Sequence, residues 1–187
     1  MGRALRLFVG TFPPPEVAEA IHQAARRALA GAPVRLVPAA EIHLTLRFLG
    51  ATDEARVPGL CEALGSATAG LRAPEILVRR TGGFPTAARS RVLWAGVDER
   101  AGTEGRLEAL ARAAWTGEEP DERGAPHLTV ARPRGRDPVD PGESFRGLEL
   151  DVGWTSSEVR LVESRPGAAG PERFVTLGGF RLLQESV

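Results

Sequence analysis

The chain has 187 residues, of which 42% are hydrophobic and 26% charged, a composition typical of a globular protein that buries a sizeable core. Its formal net charge is zero and its 24 cationic side chains are all arginine, which argues against a large non-specific nucleic-acid binder but leaves room for a small basic cleft. The absence of lysine excludes a lysine nucleophile, and the single cysteine, Cys61, excludes an intrachain disulfide and a cysteine-based zinc cluster.

The first half of the chain alternates strands with helices. Apolar runs and period-two alternation predict strands, and apolar residues three or four positions apart predict helices. In chain order these are a strand at 4–11, a helix at 15–31, a brief strand at 34–37, a strand at 42–49 and a helix at 58–70.

The second half is richer in strands. It consists of a strand at 75–80, a loop at 81–85, a strand at 91–97, a helix at 103–115, a loop at 117–125, a strand at 126–132, a loop at 134–144, and closing strands at 145–152, 157–163 and 173–182. Strands that follow one another directly, with three interspersed helices, predict an α+β fold with antiparallel sheets. No segment has the composition of a linker, so we expect one domain of two lobes over residues 1–187.

Two strands carry the same short motif, His-x-Thr. In the first, His43 and Thr45 share one face with Arg47, and Leu44, Leu46 and Phe48 share the other, which we expect to face a core. The second strand repeats the pattern with His127 and Thr129 on one face. Each motif follows a helix, which suggests an internal duplication in which two similar lobes each contribute one motif to a shared cleft.

Two imidazoles that face one another suit concerted proton transfer. With an ordinary pKa of about 6.5, one histidine can be protonated and the other neutral near neutral pH. One would take a proton from a nucleophile while the other gives a proton to a leaving oxygen. The hydroxyls of Thr45 and Thr129 would hold oxyanions beside the rings, an arrangement that fits phosphoryl chemistry better than acyl transfer. Threonine is also simply a good strand former, so each threonine alone carries little information.

Metal binding is the competing use of histidine. Two histidines without a carboxylate or a third histidine at ligand spacing make a poor zinc site. We therefore expect no metal and no cofactor. The third histidine, His22, lies in the first predicted helix without a threonine partner and is expected to be exposed.

The paired motifs resemble the signature of the 2H phosphoesterase superfamily, and within it the RNA 2′,3′-cyclic phosphodiesterases, historically called 2′-5′ RNA ligases. The resemblance extends over nearly the whole chain. The segments that carry it are Arg6–Val9 with the following prolines, His43–Gly50, Ser90–Trp94 and Pro126–Arg132.

The resemblance implies a bilobal α+β fold, in which two pseudo-symmetric antiparallel sheets flank a central cleft and the helices lie outside. It implies metal-independent opening of an RNA-terminal 2′,3′-cyclic phosphate to a 2′-phosphomonoester, with low reverse ligase activity conceivable. It also implies that His43 is the general acid, that His127 is the general base, and that Thr45 and Thr129 hold the non-bridging phosphate oxygens. The spacing alone does not assign acid against base, because the motifs are nearly symmetric.

Further contacts to RNA follow from the same resemblance. Phe84 resembles an aromatic position that stacks on a base, although a loop phenylalanine covering the core edge is equally compatible with the sequence. Arg132 resembles an arginine near the phosphate, but strict alternation places it on the core side unless the strand end at Pro133 releases it. Arg47 shares the face of His43 and would meet the RNA backbone or solvent. Phe174 stands where the family commonly has tyrosine.

Three functions remain compatible with the sequence. The first is an RNA 2′,3′-cyclic phosphodiesterase acting on RNA ends such as tRNA fragments or short oligonucleotides. The second keeps the chemistry but acts on a small cyclic nucleotide or a nucleotide-sugar cyclic phosphate, and the third is a non-catalytic RNA-end binder. No leader peptide or membrane-spanning run is evident, so we expect a cytoplasmic monomer without a membrane partner.

Overall fold

The computed structural model describes residues 2–116 and 126–185. Its strands are β1 (Ala4–Thr11), β2 (Val34–Leu36), β3 (Leu44–Asp53), β4 (Glu75–Thr86), β5 (Arg89–Glu99), β6 (His127–Pro133), β7 (Val152–Thr155), β8 (Glu158–Ser164) and β9 (Phe174–Arg181). Its helices are α1 (Pro15–Ala28), α2 (Val57–Thr68), α3 (Arg106–Ala114) and the short α4 (Glu143–Arg146), besides three 3₁₀ turns. None of the helices in these ranges is long and apolar enough to cross a membrane.

The strands form two antiparallel groups, which meet where β3 of one pairs with β6 of the other. The first lobe has the order β3-β1-β8-β9 and the second has β6-β5-β4-β7, with β2 also pairing with β6. Leu44 of β3 pairs with Leu128 of β6, and this pairing joins the lobes into one continuous curled sheet of nine strands. The predicted α+β fold with two pseudo-symmetric antiparallel lobes is thus confirmed.

Two helices pack against the lobe opposite to the one whose strand they follow. Helix α1 follows β1 of the first lobe, yet Ile21 packs into the core of the second lobe with Ile76 and Leu93. Helix α3 follows β5 of the second lobe, yet its Leu110 packs into the core of the first lobe beside α2. The helices therefore lie on the outer faces of the sheet and tie the two lobes together, which leaves the opposite faces open.

Most predicted elements are found, and two predictions are wrong. The predicted loop at 81–85 belongs to β4, because it pairs with β5 along its whole length. The predicted strand at 145–152 is wrong: α4 occupies its start, Phe145 is fully buried as a core residue, and β7 begins only at Val152. The loop predicted at 117–125 lies outside the described residues.

Candidate active site

The pair Leu44–Leu128 places both His-x-Thr motifs at the junction of the lobes. Both leucines are fully buried against the core. Neighbouring side chains of a strand point to opposite faces, so the residues flanking these leucines project to the open face. In the antiparallel register, one step along each strand brings Thr129 level with His43 and His127 level with Thr45. Two imidazoles and two hydroxyls therefore surround one point, as the sequence predicts.

Matching β-bulges follow each motif and change which side chains face the cleft. In β3, Thr45 pairs with Gly10 and Arg47 pairs with Val9, so Leu46 is an extra residue. A second bulge at Leu49 follows, since Phe48 pairs with Phe8 and Gly50 with Leu7. Each bulge reverses the inward and outward alternation of the strand.

Because of the bulge at Leu46, the predicted faces of Phe48 and Arg47 are both wrong. Phe48, predicted to be a core residue, is 72% exposed on the face of Phe8 and Thr45. Arg47 does not share the face of His43: it is only 8% exposed and its Nη1 donates to the carbonyl oxygen of Trp115 at 2.9 Å. Its guanidinium also lies over the Trp115 ring, 4.8 Å from the centroid. The prediction that Arg47 meets RNA from this face is therefore wrong, because the bulge at Leu46 turns its side chain toward α3.

The bulge in β6 explains how Arg132 reaches the open face. Thr129 pairs with Trp94 and Ala131 with Leu93, which leaves Val130 as the extra residue. Val130 and Ala131 are both buried, and Arg132 is exposed. Strand β6 continues to Pro133, so a bulge rather than the end of the strand releases Arg132.

Three phenylalanines enclose the imidazole of His43. The ring centroids of Phe8, Phe174 and Phe12 lie 4.7, 4.9 and 5.4 Å from that of His43. The Nδ1 atom of His43 lies 2.7 Å from the carbonyl oxygen of Glu41. A carbonyl oxygen only accepts, so Nδ1 carries the proton and Nε2 of the neutral ring holds a lone pair.

Burial in this apolar enclosure lowers the pKa of His43 from 6.5 to about 4. The hydrogen bond to Glu41 opposes this shift, and the positive charges of Arg173, His127 and Arg132 add to it. The imidazole of His43 is therefore neutral near neutral pH in the free protein, and cationic side chains surround the place where a phosphate would sit.

His127 lies against a different aromatic pair. The ring centroid of Phe84 is 5.0 Å away in an edge-to-face arrangement, and that of Trp94 is 6.3 Å away. Trp94 lies flat across Gly82, where a Cβ atom would come within 2.3 Å of the indole ring. Phe84, predicted to be a loop residue, is thus held by β4 at the side of the second histidine.

Several residues of this site carry no motif of their own. Arg173 lies over the Phe174 ring at 4.8 Å and its Nη1 donates to Ser164 at 2.9 Å. Phe8 and Phe12 come from β1 and the segment after it. The only hint in the sequence is that Arg6–Val9 and the following prolines carry part of the family resemblance, because contacts between residues so far apart depend on the sheet order. Within residues 2–116 and 126–185, no three His, Cys, Asp or Glu side chains group together in a way that would hold a metal ion.

Two cavities open beside the enclosure of His43. One of about 220 Å³ is bordered by Phe12, Arg160 and Phe174. The other, of about 640 Å³, extends from Phe12 and Arg160 toward Trp154, but its lining also contains Glu19 and Glu158. These carboxylates outnumber the single arginine, and Glu158 accepts from Arg160 at 2.6 Å. The larger cavity is therefore poorly suited to a phosphate, and the histidine pair is the better candidate site.

Comparisons with known proteins agree with this geometry. A family model described as LigT like Phosphoesterase matches residues 11–94, a range that contains the first motif. The RNA 2′,3′-cyclic phosphodiesterase of Thermus thermophilus is 34% identical over 194 residues, covering 97% of this chain and 92% of that protein. This chain belongs to the LigT-like phosphoesterase family. A second relative, the RNA 2′,3′-cyclic phosphodiesterase of Methanothermobacter thermautotrophicus, is 33% identical over 149 residues, covering 76% of this chain and 79% of that protein.

Solved structures share the fold of this LigT-like phosphoesterase. The structure of TT0787 from Thermus thermophilus has a TM-score of 0.72 at 30% identity and covers 97% of this chain and 100% of its own. That of E. coli LigT in apo form has a TM-score of 0.70 at 26% identity and covers 98% of this chain and 100% of its own. The predicted resemblance to the 2H phosphoesterases is thus confirmed.

Proposed function

We propose that this chain hydrolyses RNA-terminal 2′,3′-cyclic phosphates to 2′-phosphomonoesters, without a metal ion, by acid–base catalysis with His43 and His127. The observation that carries the proposal is the Leu44–Leu128 pair, which sets two imidazoles and two hydroxyls around one point on the open face. The names of the relatives from Thermus thermophilus and Methanothermobacter thermautotrophicus support the same activity.

The reaction needs two proton transfers on opposite sides of the phosphorus atom. One histidine takes a proton from water as the water oxygen bonds to phosphorus. The bond from phosphorus to the 3′ oxygen breaks, and the other histidine gives its proton to that oxygen, so the 2′ oxygen keeps the phosphate. Thr45 and Thr129 would donate to the non-bridging oxygens, while Arg132 and Arg173 would offset their negative charge.

The environment of His43 bears on which histidine is the base. A neutral ring with a lone pair on Nε2 is ready to accept a proton, and the pKa of about 4 keeps it in that form. These two features support His43 as the general base and His127 as the general acid, the reverse of the roles that the family resemblance implies.

The first test is turnover of a short RNA ending in a 2′,3′-cyclic phosphate, with EDTA present and the product resolved as a 2′- or 3′-phosphate. We expect a 2′-phosphate, and a loss of about 10²–10⁴-fold in kcat for His43→Ala and for His127→Ala. Thr45→Val and Thr129→Val keep the side-chain shape but remove the hydroxyl, and should also lower kcat. The control is His22→Gln, which changes the third histidine, bonded through Nδ1 to the Val37 carbonyl at 2.8 Å.

The outcomes separate the alternatives. Turnover that survives both substitutions would exclude the two-histidine mechanism. Turnover of nucleoside cyclic phosphates without turnover of RNA would favour the small-molecule function, and RNA binding without any turnover would favour the non-catalytic one. Weak 2′-5′ ligation should appear when a 5′-hydroxyl RNA replaces water, because its hydroxyl oxygen can bond to phosphorus as the water oxygen does while the 3′ oxygen leaves with a proton from the acid.

The acid and base roles need a substrate with a different leaving group. A nucleoside 4-nitrophenyl phosphodiester releases a stable phenolate that needs no protonation. We expect His127→Ala to retain much more of the wild-type rate on this substrate than on the cyclic phosphate, and His43→Ala to be impaired on both. The opposite pattern would restore the roles implied by the family.

Phe84 and Arg132 complete the proposed site. Phe84 is only partly buried beside His127, so its ring would contact the base of the terminal nucleotide. Arg132 is exposed, and partial desolvation lowers its pKa, with a smaller contribution from the nearby positive charge of Arg35. Such a place favours an incoming phosphate.

A further inference from the structure

Phe48 is the most exposed large hydrophobic side chain among residues 2–116 and 126–185, at 72%. It stands on the open face of the first lobe, the face that also carries Thr45 and Phe8. We propose that Phe48, together with Arg6, forms a subsite for the nucleotide that precedes the cyclic-phosphate end of a single-stranded RNA. This inference rests on the proposed function and extends it to the chain upstream of the reacting nucleotide.

The exposure of Phe48 results from a specific arrangement of β3. Without the bulge at Leu46, the alternation that buries Leu44 would also bury residue 48. The bulge is held in place from the other side by Arg47, whose guanidinium bonds to the carbonyl oxygen of Trp115 and lies over its ring. Because Arg47 anchors the bulge on the core side, the exposure of the Phe48 ring is a fixed feature of β3, and the ring is presented on the open face where a ligand can stack on it.

The subsite is continuous with the histidine pair. The Phe48 ring centroid lies 6.5 Å from that of Phe8, and Phe8 in turn contacts His43 at 4.7 Å. One aromatic ring thus separates Phe48 from the catalytic imidazole. A neighbouring nucleotide of the same RNA strand would therefore reach Phe48 while its terminal phosphate lies between the histidines.

The charge of this face suits a nucleic acid. Arg6 is exposed and alternates with the buried Leu5 and Leu7, which places it on the same face as Phe8. Arg173 lies on the other side of the aromatic group, near enough for its charge to lower the pKa of His43. Aromatic rings interleaved with arginine are typical of surfaces that bind single-stranded RNA without sequence preference, since every base presents a flat face for stacking.

The two lobes differ at the third residue after the motif threonine, and this difference would set the direction in which the RNA strand lies. Phe48 follows Thr45 by three residues beyond one bulge, and Arg132 follows Thr129 in the same way. The first lobe therefore presents an aromatic ring where the second presents a cation. The base of the preceding nucleotide would stack on Phe48, while the terminal phosphate lies toward Arg132.

The test compares binding of two ligands by fluorescence anisotropy or calorimetry: a tetranucleotide ending in a 2′-phosphate and the matching nucleoside 2′-phosphate. We expect Phe48→Ala to raise the Kd of the tetranucleotide about tenfold, a change that corresponds to about 1.4 kcal/mol of stacking, and to leave the Kd of the mononucleotide unchanged. Phe48→Trp should restore tetranucleotide binding. Arg6→Gln should raise the tetranucleotide Kd and reduce its salt dependence by about one counterion.

Matched controls make the result specific. Leu183→Ala changes the other exposed large hydrophobic residue, 54% exposed, and Arg112→Gln changes an arginine bonded at the surface to Glu108. Neither should alter either Kd. An unchanged tetranucleotide Kd in Phe48→Ala, or an equal change for both ligands, would overturn the subsite. Failure of the proposed function would appear separately, as absence of turnover by the wild-type protein, because these measurements use products and require no catalysis.

Discussion

His43 shows at the level of one residue how packing sets chemistry. Three phenylalanines surround its ring, and the resulting desolvation lowers its pKa to about 4. One of the three is Phe174, at a position where the family resemblance implies tyrosine, so the enclosure on that side carries no hydroxyl. A histidine that stays neutral here keeps a lone pair on Nε2, although the cationic side chains of Arg132 and Arg173 lie nearby.

The lowered pKa of His43 predicts a pH dependence of stability. The unfolded chain would protonate this residue near pH 6.5, whereas the folded protein protonates it only near pH 4. The folded state therefore binds fewer protons in this window, and the contribution to stability is present above pH 6.5 and lost as the pH falls toward 4. Its size is roughly 3 kcal/mol.

Urea unfolding across this pH range checks the prediction. We expect the free energy of unfolding to fall less steeply with acidification in His43→Gln than in the wild-type protein. Arg112→Gln, at an exposed arginine outside the enclosure, is the control and should keep the wild-type slope. Equal slopes for His43→Gln and the wild type would show that the enclosure does not depress the pKa of His43.

At the level of the element, β3 and β6 are bulged strands rather than regular ones. Each bulge lies next to a His-x-Thr motif and turns the following residues over, so that Phe48 and Arg132 face the cleft. On β3 the reversal also buries Arg47 against the end of α3. Because of the bulges, Phe48 and Arg132 lie on the open face while the buried residues of both strands keep their core contacts.

Arg47 should therefore matter for stability rather than for RNA binding. Removing it breaks a hydrogen bond from a buried charge to the Trp115 carbonyl and the stacking on that ring. We expect Arg47→Ala to lower the free energy of unfolding by about 2 kcal/mol in urea titrations. Arg112→Ala, at an exposed pair with Glu108, should cost less than about 0.5 kcal/mol.

A second readout distinguishes the two roles of Arg47. The salt dependence of RNA affinity should be the same in Arg47→Ala and the wild-type protein, because the guanidinium does not reach the cleft. Unchanged stability together with a reduced salt dependence would place Arg47 at the RNA after all.

For the whole molecule, the exchange of helices couples the lobes. Helix α1 packs on the second lobe although it follows a strand of the first, and α3 packs Leu110 on the first lobe and Leu107 on the second. The pair Leu44–Leu128 joins the sheets between the two His-x-Thr motifs. The second lobe would lose α1 and the first would lose α3 if the opposite lobe unfolded, so we expect both to unfold in one cooperative transition.

Ile21→Ala tests this coupling. Ile21 is fully buried on α1 in the core of the second lobe, and its truncation should lower the free energy of unfolding by about 2–5 kcal/mol. Trp115 at the end of α3 reports on the first lobe and Trp154 on the second, so single-tryptophan variants follow each lobe in urea. Both transitions should shift together. Two separate transitions would mean that the lobes unfold independently.

The sequence by itself was enough to predict the family and the two motifs. The motifs around His43 and His127 are local, because period-two alternation needs only neighbouring residues to place an imidazole and a hydroxyl on one face. The same alternation predicted most of the strands. It failed at 145–152, where the buried Phe145 belongs to a helix, because a short stretch of apolar and polar residues is compatible with either kind of element.

The tertiary structure decided what surrounds the two histidines. Whether a strand bulges depends on the partner with which it pairs, so the sequence assigned Phe48 and Arg47 to the wrong faces and required a strand end to release Arg132. The enclosure of His43 joins residues from the first and last strands, and its effect on the pKa exists only when the sheet brings them together. The alternation of side chains between the faces of a strand depends only on neighbouring residues, whereas the pairing register and the desolvation of His43 arise from contacts between residues far apart in the chain.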